Sequence, residues 1–199
     1  MAGYPDPEPR VKIVEPGECS DVEFFSEMEM LHARLSDRNP LMTADSSEHL
    51  PTAAEIASDS LDGRYAIRHF HGKTLADAEQ IFAAGCRDSI PLTYTEDLSW
   101  MEPVGFRFYI RAAIRVALSE RANGESDFIS ALAGTISSWH EQYPGELVSC
   151  APLLADFCRA VSEQFDRYDA DPEIYTGLRE QYQQLAELFT RLSNAPGNA

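Results

Sequence analysis

Pro103-Val-Gly-Phe-Arg-Phe-Tyr-Ile-Arg-Ala-Ala-Ile-Arg-Val-Ala-Leu-Ser119 is the stretch that decides the fold. Proline has no N–H to lose at the first position of a helix, so Pro103 suits a helix start. Phe106, Ile110, Ala113 and Ala117 follow at three- and four-residue spacing, one buried face of a helix. Arg107, Arg111 and Arg115 stand at i, i+4 and i+8 on another face of the same helix. A 17-residue amphipathic segment of this kind demands helical partners, and the rest of the chain supplies them.

Downstream, Ser126 is expected to cap a helix with Ile129, Leu132, Ile136 and Trp139 inward. Tyr143-Pro144-Gly145 reads as a turn. A helix beginning near Pro152 carries Leu154, Phe157, Val161, Phe165 and Tyr168. Asp171-Pro172 reads as the start of the last helix, with Ile174, Leu178, Leu185, Phe189 and Leu192 on its apolar face.

Upstream, Thr52-x-x-Glu55 is a capping box that opens one long helix to about Phe70, weakened at Gly63. Gly72 closes it. Thr74 opens the next helix, with Leu75, Ala78 and Phe82 on one face and Gly85 fitting its C-terminal cap. Residues 86–101 read as a long connection in which Ile90, Leu92 and Tyr94 alternate as a short extended piece. Before them, Ser20-x-x-Glu23 is another capping box, followed by Phe24, Met28, Leu31 and Leu35 at helical spacing. The expectation is an all-α, single-domain bundle of about seven amphipathic helices over residues 20–194. An extended or disordered arm at 1–19, rich in proline, precedes it, and a frayed tail at 195–199 follows.

Composition bounds the function. The chain has 199 residues with 44% hydrophobic, enough for a sizeable core, and a formal net charge of −17. The acid excess sits at the ends: 13 acids against 4 bases in residues 1–60, 11 against 8 in 61–145, and 9 against 4 in 146–199. Such a surface repels polyanions, so neither nucleic acid nor an anionic membrane is an expected partner. It suits a basic protein, whose encounter it would accelerate. No apolar run reaches the length of a membrane span, and no secretory signal is visible at the N-terminus. Cys19, Cys86, Cys150 and Cys158 form no CxxC pair and read as reduced thiols of a cytoplasmic protein.

Motifs of chemistry are few. His69-x-His71 offers two imidazoles, but residues two apart diverge around a helix, and neither His49 nor His140 stands at a spacing that completes a site. Asp169, Asp171, Glu173 and Glu180 match positions 1, 3, 5 and 12 of a calcium loop. The glycine such a loop needs at position 6 is Ile174, so a helix N-terminus explains these acids better. No nucleophile elbow and no glycine-rich phosphate loop exist. The expectation is therefore a non-enzyme with no cofactor and no metal. The arginine stripe, with Tyr109, marks an anion-binding alternative: Arg107, Tyr109, Arg111 and Arg115. Salt bridges from the stripe to acids of neighbouring helices are the plainer reading.

The segment Leu98–Ile114 resembles an uncharacterised bacterial family of small acidic helical proteins. Pro103, Gly105, Phe106, Arg107, Phe108 and Tyr109 carry the likeness, and Gly72-Lys73 matches a Gly-Lys pair before the family's next helix. The resemblance spans about residues 65–120, with an echo in the aromatic C-terminal helices. Arg111 stands where the family has proline, so the kink that proline brings is not expected. The resemblance implies a helical fold and brings no catalytic residue. By analogy it suggests the immunity proteins of toxin–immunity pairs. A cytoplasmic inhibitor of a basic toxin is the leading expectation, with Asp21, Glu23, Glu27, Glu29, Asp169, Asp171 and Glu173 as partner-facing acids.

Overall fold

In the computed structural model, which describes residues 49–87 and 91–195, the chain is an all-α bundle. Eight α-helices follow one another among these residues: α1 (Ala53–Ile56), α2 (Leu61–Phe70), α3 (Leu75–Arg87), α4 (Pro91–Ser99), α5 (Pro103–Leu118), α6 (Ser126–Gln142), α7 (Ala151–Glu163) and α8 (Leu178–Ser193). Short 3₁₀ turns at Glu120–Ala122, Val148–Cys150 and Phe165–Tyr168 link the later ones. The arm at 1–19, the Ser20 capping box and its helix lie outside the described residues.

Helix α5 is the axis. Pro103 begins it as expected, and the helix is buried on more than one face, with Phe106, Tyr109, Ile110, Ala113 and Ala117 all sealed from solvent. It packs against α3 most extensively and also meets α1, α4 and α7. Gly105 is what lets α1 come close. A β-carbon there would stand 2.8 Å from Ile56 Cα and 2.9 Å from Glu55 O, so the contact is made backbone to helix. Phe106 stacks on Trp139 of α6 at 4.3 Å between ring centres.

Buried tyrosines fasten the helices to one another. Tyr109 Oη donates to Phe70 O at 2.6 Å and to Lys73 O at 3.0 Å, and Tyr168 Oη to Ala117 O at 3.0 Å. Phe70 and Ala117 lie at helix C-termini, where carbonyls lack intrahelical donors. Each hydroxyl thus satisfies a carbonyl that burial would otherwise penalise. Arg167 adds its guanidinium at the same end of α5, donating to Leu118 O and Ser119 O, where the helix dipole favours a cation. Tyr182 Oη of α8 donates to Ile129 O of α6 at 2.8 Å.

The structure corrects several boundaries. The single helix expected from Thr52 to Phe70 is two, α1 and α2. The Thr52–Glu55 capping box forms, but Ser60 caps a new start by accepting from Gly63 N–H at 2.9 Å. Gly63 belongs to this break, because a β-carbon there would stand 2.3 Å from Ser58 O. Between the two helices Ala57 bridges Met101 in antiparallel fashion, an isolated pair and the nearest thing to a strand among the described residues. Gly85 does not cap α3; it is buried inside a helix that runs on to Arg87. The connection expected at 86–101 contains α4. Its start is Pro91, the same N-terminal proline signal that marks α5, and a brief alternation hides it. Ser126 is the first residue of α6 rather than its cap.

The last helix does not start at Asp171-Pro172. Tyr175 N–H and Ile174 N–H both bond to Asp171 O, Thr176 Oγ1 donates to Pro172 O, and the chain turns on Gly177 at φ +75° before α8 begins. Ile174 is consequently 72% exposed instead of facing the core. Leu178, Leu185 and Phe189 are buried as expected.

Candidate functional site

The arginine stripe is drawn into the fold. Arg107 Nη1 donates to Glu146 Oε2 at 2.6 Å, and Arg115 Nη1 to Glu79 Oε1 of α3 at 2.7 Å. Arg111 is buried at 2% exposure, its guanidinium 5.7 Å from the centre of the Phe108 ring. Tyr109 is a core residue, and burial pushes its hydroxyl up to about 12. Three arginines and a tyrosine that looked like one surface in sequence are therefore four separate contacts. Arg107 is the most exposed of the three arginines. With Gly145, Glu146, Val148, Ser149, Pro152 and Ser193 it lines a cleft of about 550 Å³.

Of the acids expected to face a partner, Asp21, Glu23, Glu27 and Glu29 lie outside the described residues. Asp169, Asp171 and Glu173 are exposed in the connection between α7 and α8. They head no helix: Asp171 Oδ1 accepts Glu173 N–H at 2.8 Å, and Asp169 adopts the left-handed conformation at φ 52°. The fold brings them other acids that spacing did not reveal. Gly124 N–H bonds to Arg167 O, Arg167 Nε donates to Asn123 Oδ1, and Tyr175 Oη donates to Asp127 Oδ1. These bonds seat the corner between α5 and α6 against the connection between α7 and α8. Glu120, Glu125 and Asp127 so join Asp166, Asp169, Asp171 and Glu173 at one end of the bundle. Partial burial raises the Glu125 carboxyl above the ordinary glutamate value, and the nearby Asp127 charge adds to the rise. Arg179 lies 3.2 Å from Asp166, and the Glu120 charge acts on Arg167 at the same end.

His69 and His71 part ways, as their spacing requires. His71 is exposed, whereas His69 Nδ1 lies 2.6 Å from Asp97 Oδ2 of α4. Asp97 is buried. Burial raises its carboxyl above the ordinary aspartate value, and the bond to His69 offsets part of the rise. Tyr94 meets the His69 ring edge-on at 5.3 Å, and Tyr65 lies 6.3 Å from it. Among the described residues no three of His, Cys, Asp and Glu gather closely enough to hold a metal ion. Cys86, Cys150 and Cys158 are free buried thiols. Among the same residues no helix is long and apolar enough to cross a membrane.

Compared with protein-family models, curated proteins and solved structures, the chain matches none.

Proposed function

We propose that the chain is an acidic binding protein of the immunity type, which neutralises a basic toxin by covering its active site in the cytoplasm. The observation that carries this reading is the fate of the cations. Arg107, Arg115, Arg159 and Arg179 pair with carboxylates of the chain itself, and Arg167 is spent on helix-terminal carbonyls. Glu120, Asp127, Asp166, Asp169, Asp171 and Glu173 meanwhile face outward, six acids at one end of the bundle. A field of this sign accelerates association with cationic proteins and makes it salt-dependent. The resemblance of residues 65–120 to small acidic bacterial proteins agrees with it.

The test is co-purification of the tagged chain from its native host with its genomic neighbours present. Expected is a stoichiometric basic partner that is toxic alone and is released as salt rises. Replacing Glu120, Asp127, Asp169, Asp171 and Glu173 by their amides should slow association and flatten its salt dependence. Unchanged binding and salt response in that variant would overturn the role of these acids. A preparation that stays partnerless would overturn the inhibitor reading.

The cleft beside Arg107 favours a second reading, an anion-binding regulatory domain. Its volume of about 550 Å³ suits a small molecule, and an anion there would displace Glu146 from the Arg107 guanidinium beside the hydroxyls of Ser149 and Ser193. The stripe as first read does not support it, because Arg115 is occupied and Arg111 and Tyr109 are buried. A thermal-shift screen with phosphate compounds decides it. Stabilisation that Arg107→Gln removes is expected if the cleft binds anions, and no gain over bulk-salt controls would end the reading.

A further inference from the structure

Large apolar side chains collect where α2 crosses α4. The two segments meet at two points: Ala57 pairs with Met101, and His69 of α2 bonds Asp97 of α4. Ala57 and Met101 are both buried. Trp100 lies in the turn that ends α4, its N–H bonded to Asp97 O at 3.1 Å, and it is 51% exposed; the bridge sets it opposite Ser58, less than a turn before Leu61. Leu61 and Tyr65 stand one turn apart on the outer face of α2, at 72% and 50% exposure. Ring contacts carry the surface onward from Tyr65 to His69 and from His69 to Tyr94.

We propose that this seam between α2 and α4, with Trp100, Tyr65 and Leu61 as its anchors, docks a cationic amphipathic segment of the partner protein. The inference rests on the binding reading above and names the surface and the chemistry that surface takes. Exposed aromatic and aliphatic groups in one strip are costly to leave in water and are the residue types that dominate binding energy when covered. Charge selects the occupant. Asp62, Glu96 and Glu102 stand exposed on the segments that frame the strip, against the exposed Arg68; Asp59 and Arg64 offset each other at 2.7 Å. A second copy of this chain would set one acidic frame against another, which costs affinity. A segment with apolar residues on one face and lysine or arginine on its flanks satisfies both features. The acidic end near Asp169 offers a single large exposed aliphatic, Ile174, and so steers rather than anchors.

The seam carries its own reporter. The chain has two tryptophans. Trp139 is buried with Nε1 donating to Leu98 O at 2.9 Å, so a change in emission reports Trp100. The probe is a short amphipathic leucine–lysine helix, compared with a scrambled peptide of equal composition and with a leucine–glutamate analogue. Expected is a blue shift with protection from acrylamide for the leucine–lysine helix alone. The shift is lost in Trp100→Phe, and affinity falls at least about tenfold in Leu61→Ser/Tyr65→Ser. These positions are exposed, and circular dichroism of each variant checks that the fold is kept. Equal affinity for the scrambled peptide, or unchanged affinity in the double variant, would overturn the seam. So would loss of the peptide on neutralising Asp169, Asp171 and Glu173 instead. The two proposals fail separately. A captured toxin that binds the double variant normally sinks the seam and leaves the inhibitor reading. A seam that docks the peptide in a chain with no basic partner does the reverse.

Discussion

Tyr109 shows how a residue can be read correctly for position and wrongly for role. Its place beside three arginines suggests an anion contact, but its hydroxyl spends itself on Phe70 O and Lys73 O. Tyr109→Phe would remove the buried hydroxyl bond to Phe70 O, leaving that carbonyl the Lys73 N–H alone. A loss of about 1–3 kcal/mol is expected in urea unfolding, with no effect on partner binding. Gly105 is a second such position. Gly105→Ala drives a methyl into the α1 backbone at 2.8 Å and should cost about 1–3 kcal/mol, read as a lowered denaturation midpoint. The cysteines make a third case. Burial pushes the Cys86 thiol up to about 12 and the Cys150 thiol to about 11, and it raises Cys158 as well. Thiolate is the reactive form, so in a Cys19→Ser background Ellman's reagent should label the native protein far more slowly than the unfolded chain. Rapid labelling of native protein would contradict the burial of all three.

Among elements, the pairing of α2 with α4 through His69 and Asp97 gives a pH signature. Burial holds the Asp97 carboxyl above its unfolded value of 3.8, against the smaller opposing effect of His69. A raised carboxyl binds its proton more tightly in the folded state than in the unfolded chain. Its contribution is then full below 3.8 and is lost as pH climbs through the folded value. Asp97→Asn removes the titration. The stability of the native chain relative to Asp97→Asn should therefore fall as pH rises from below 3.8 upward, measured by urea unfolding of both proteins at matched pH. A difference that stays flat across that window would show that Asp97 does not titrate as its burial requires. The capping boxes act in the opposite direction. Asp77 and Glu55 are held below their ordinary values by hydrogen bonds to Thr74 and Thr52, so their support is present above the unfolded values and fades as pH falls.

At the scale of the whole molecule, a charge of −17 on 199 residues strains the folded state by self-repulsion. Salt relieves it by screening charges further apart than the Debye length, about 10 Å at 0.1 M. The thermal midpoint should rise from low salt to physiological sodium chloride in differential scanning fluorimetry. A falling midpoint would mean that the internal pairs, such as Arg115–Glu79, outweigh the surface repulsion. The same repulsion bears on assembly, because it opposes contact between like copies and leaves the outward acids for a basic protein.

The amino-acid sequence determined the helical class and the central helix through local physics. Pro103 at a first position, Phe106–Ala117 at helical spacing, the Thr52 box and Gly72 all act within a few residues of themselves. It also made carboxylate partners the plainer reading of the arginine stripe, and Arg107 and Arg115 meet them in Glu146 and Glu79. Boundaries failed where a distant contact outweighed a local signal. Ser60 and the Ala57–Met101 bridge divide one expected helix, and Tyr175 bound to Asp127 holds 171–177 as a turn that leaves Ile174 in water. Only the tertiary structure decided the candidate surfaces. Glu120 and Asp169 are 49 residues apart along the chain, and Leu61 and Trp100 are 39 apart. Spacing carries no record of such pairs, because bonds from Asn123 and Gly124 to Arg167, and the bridge of Ala57 to Met101, bring their segments together.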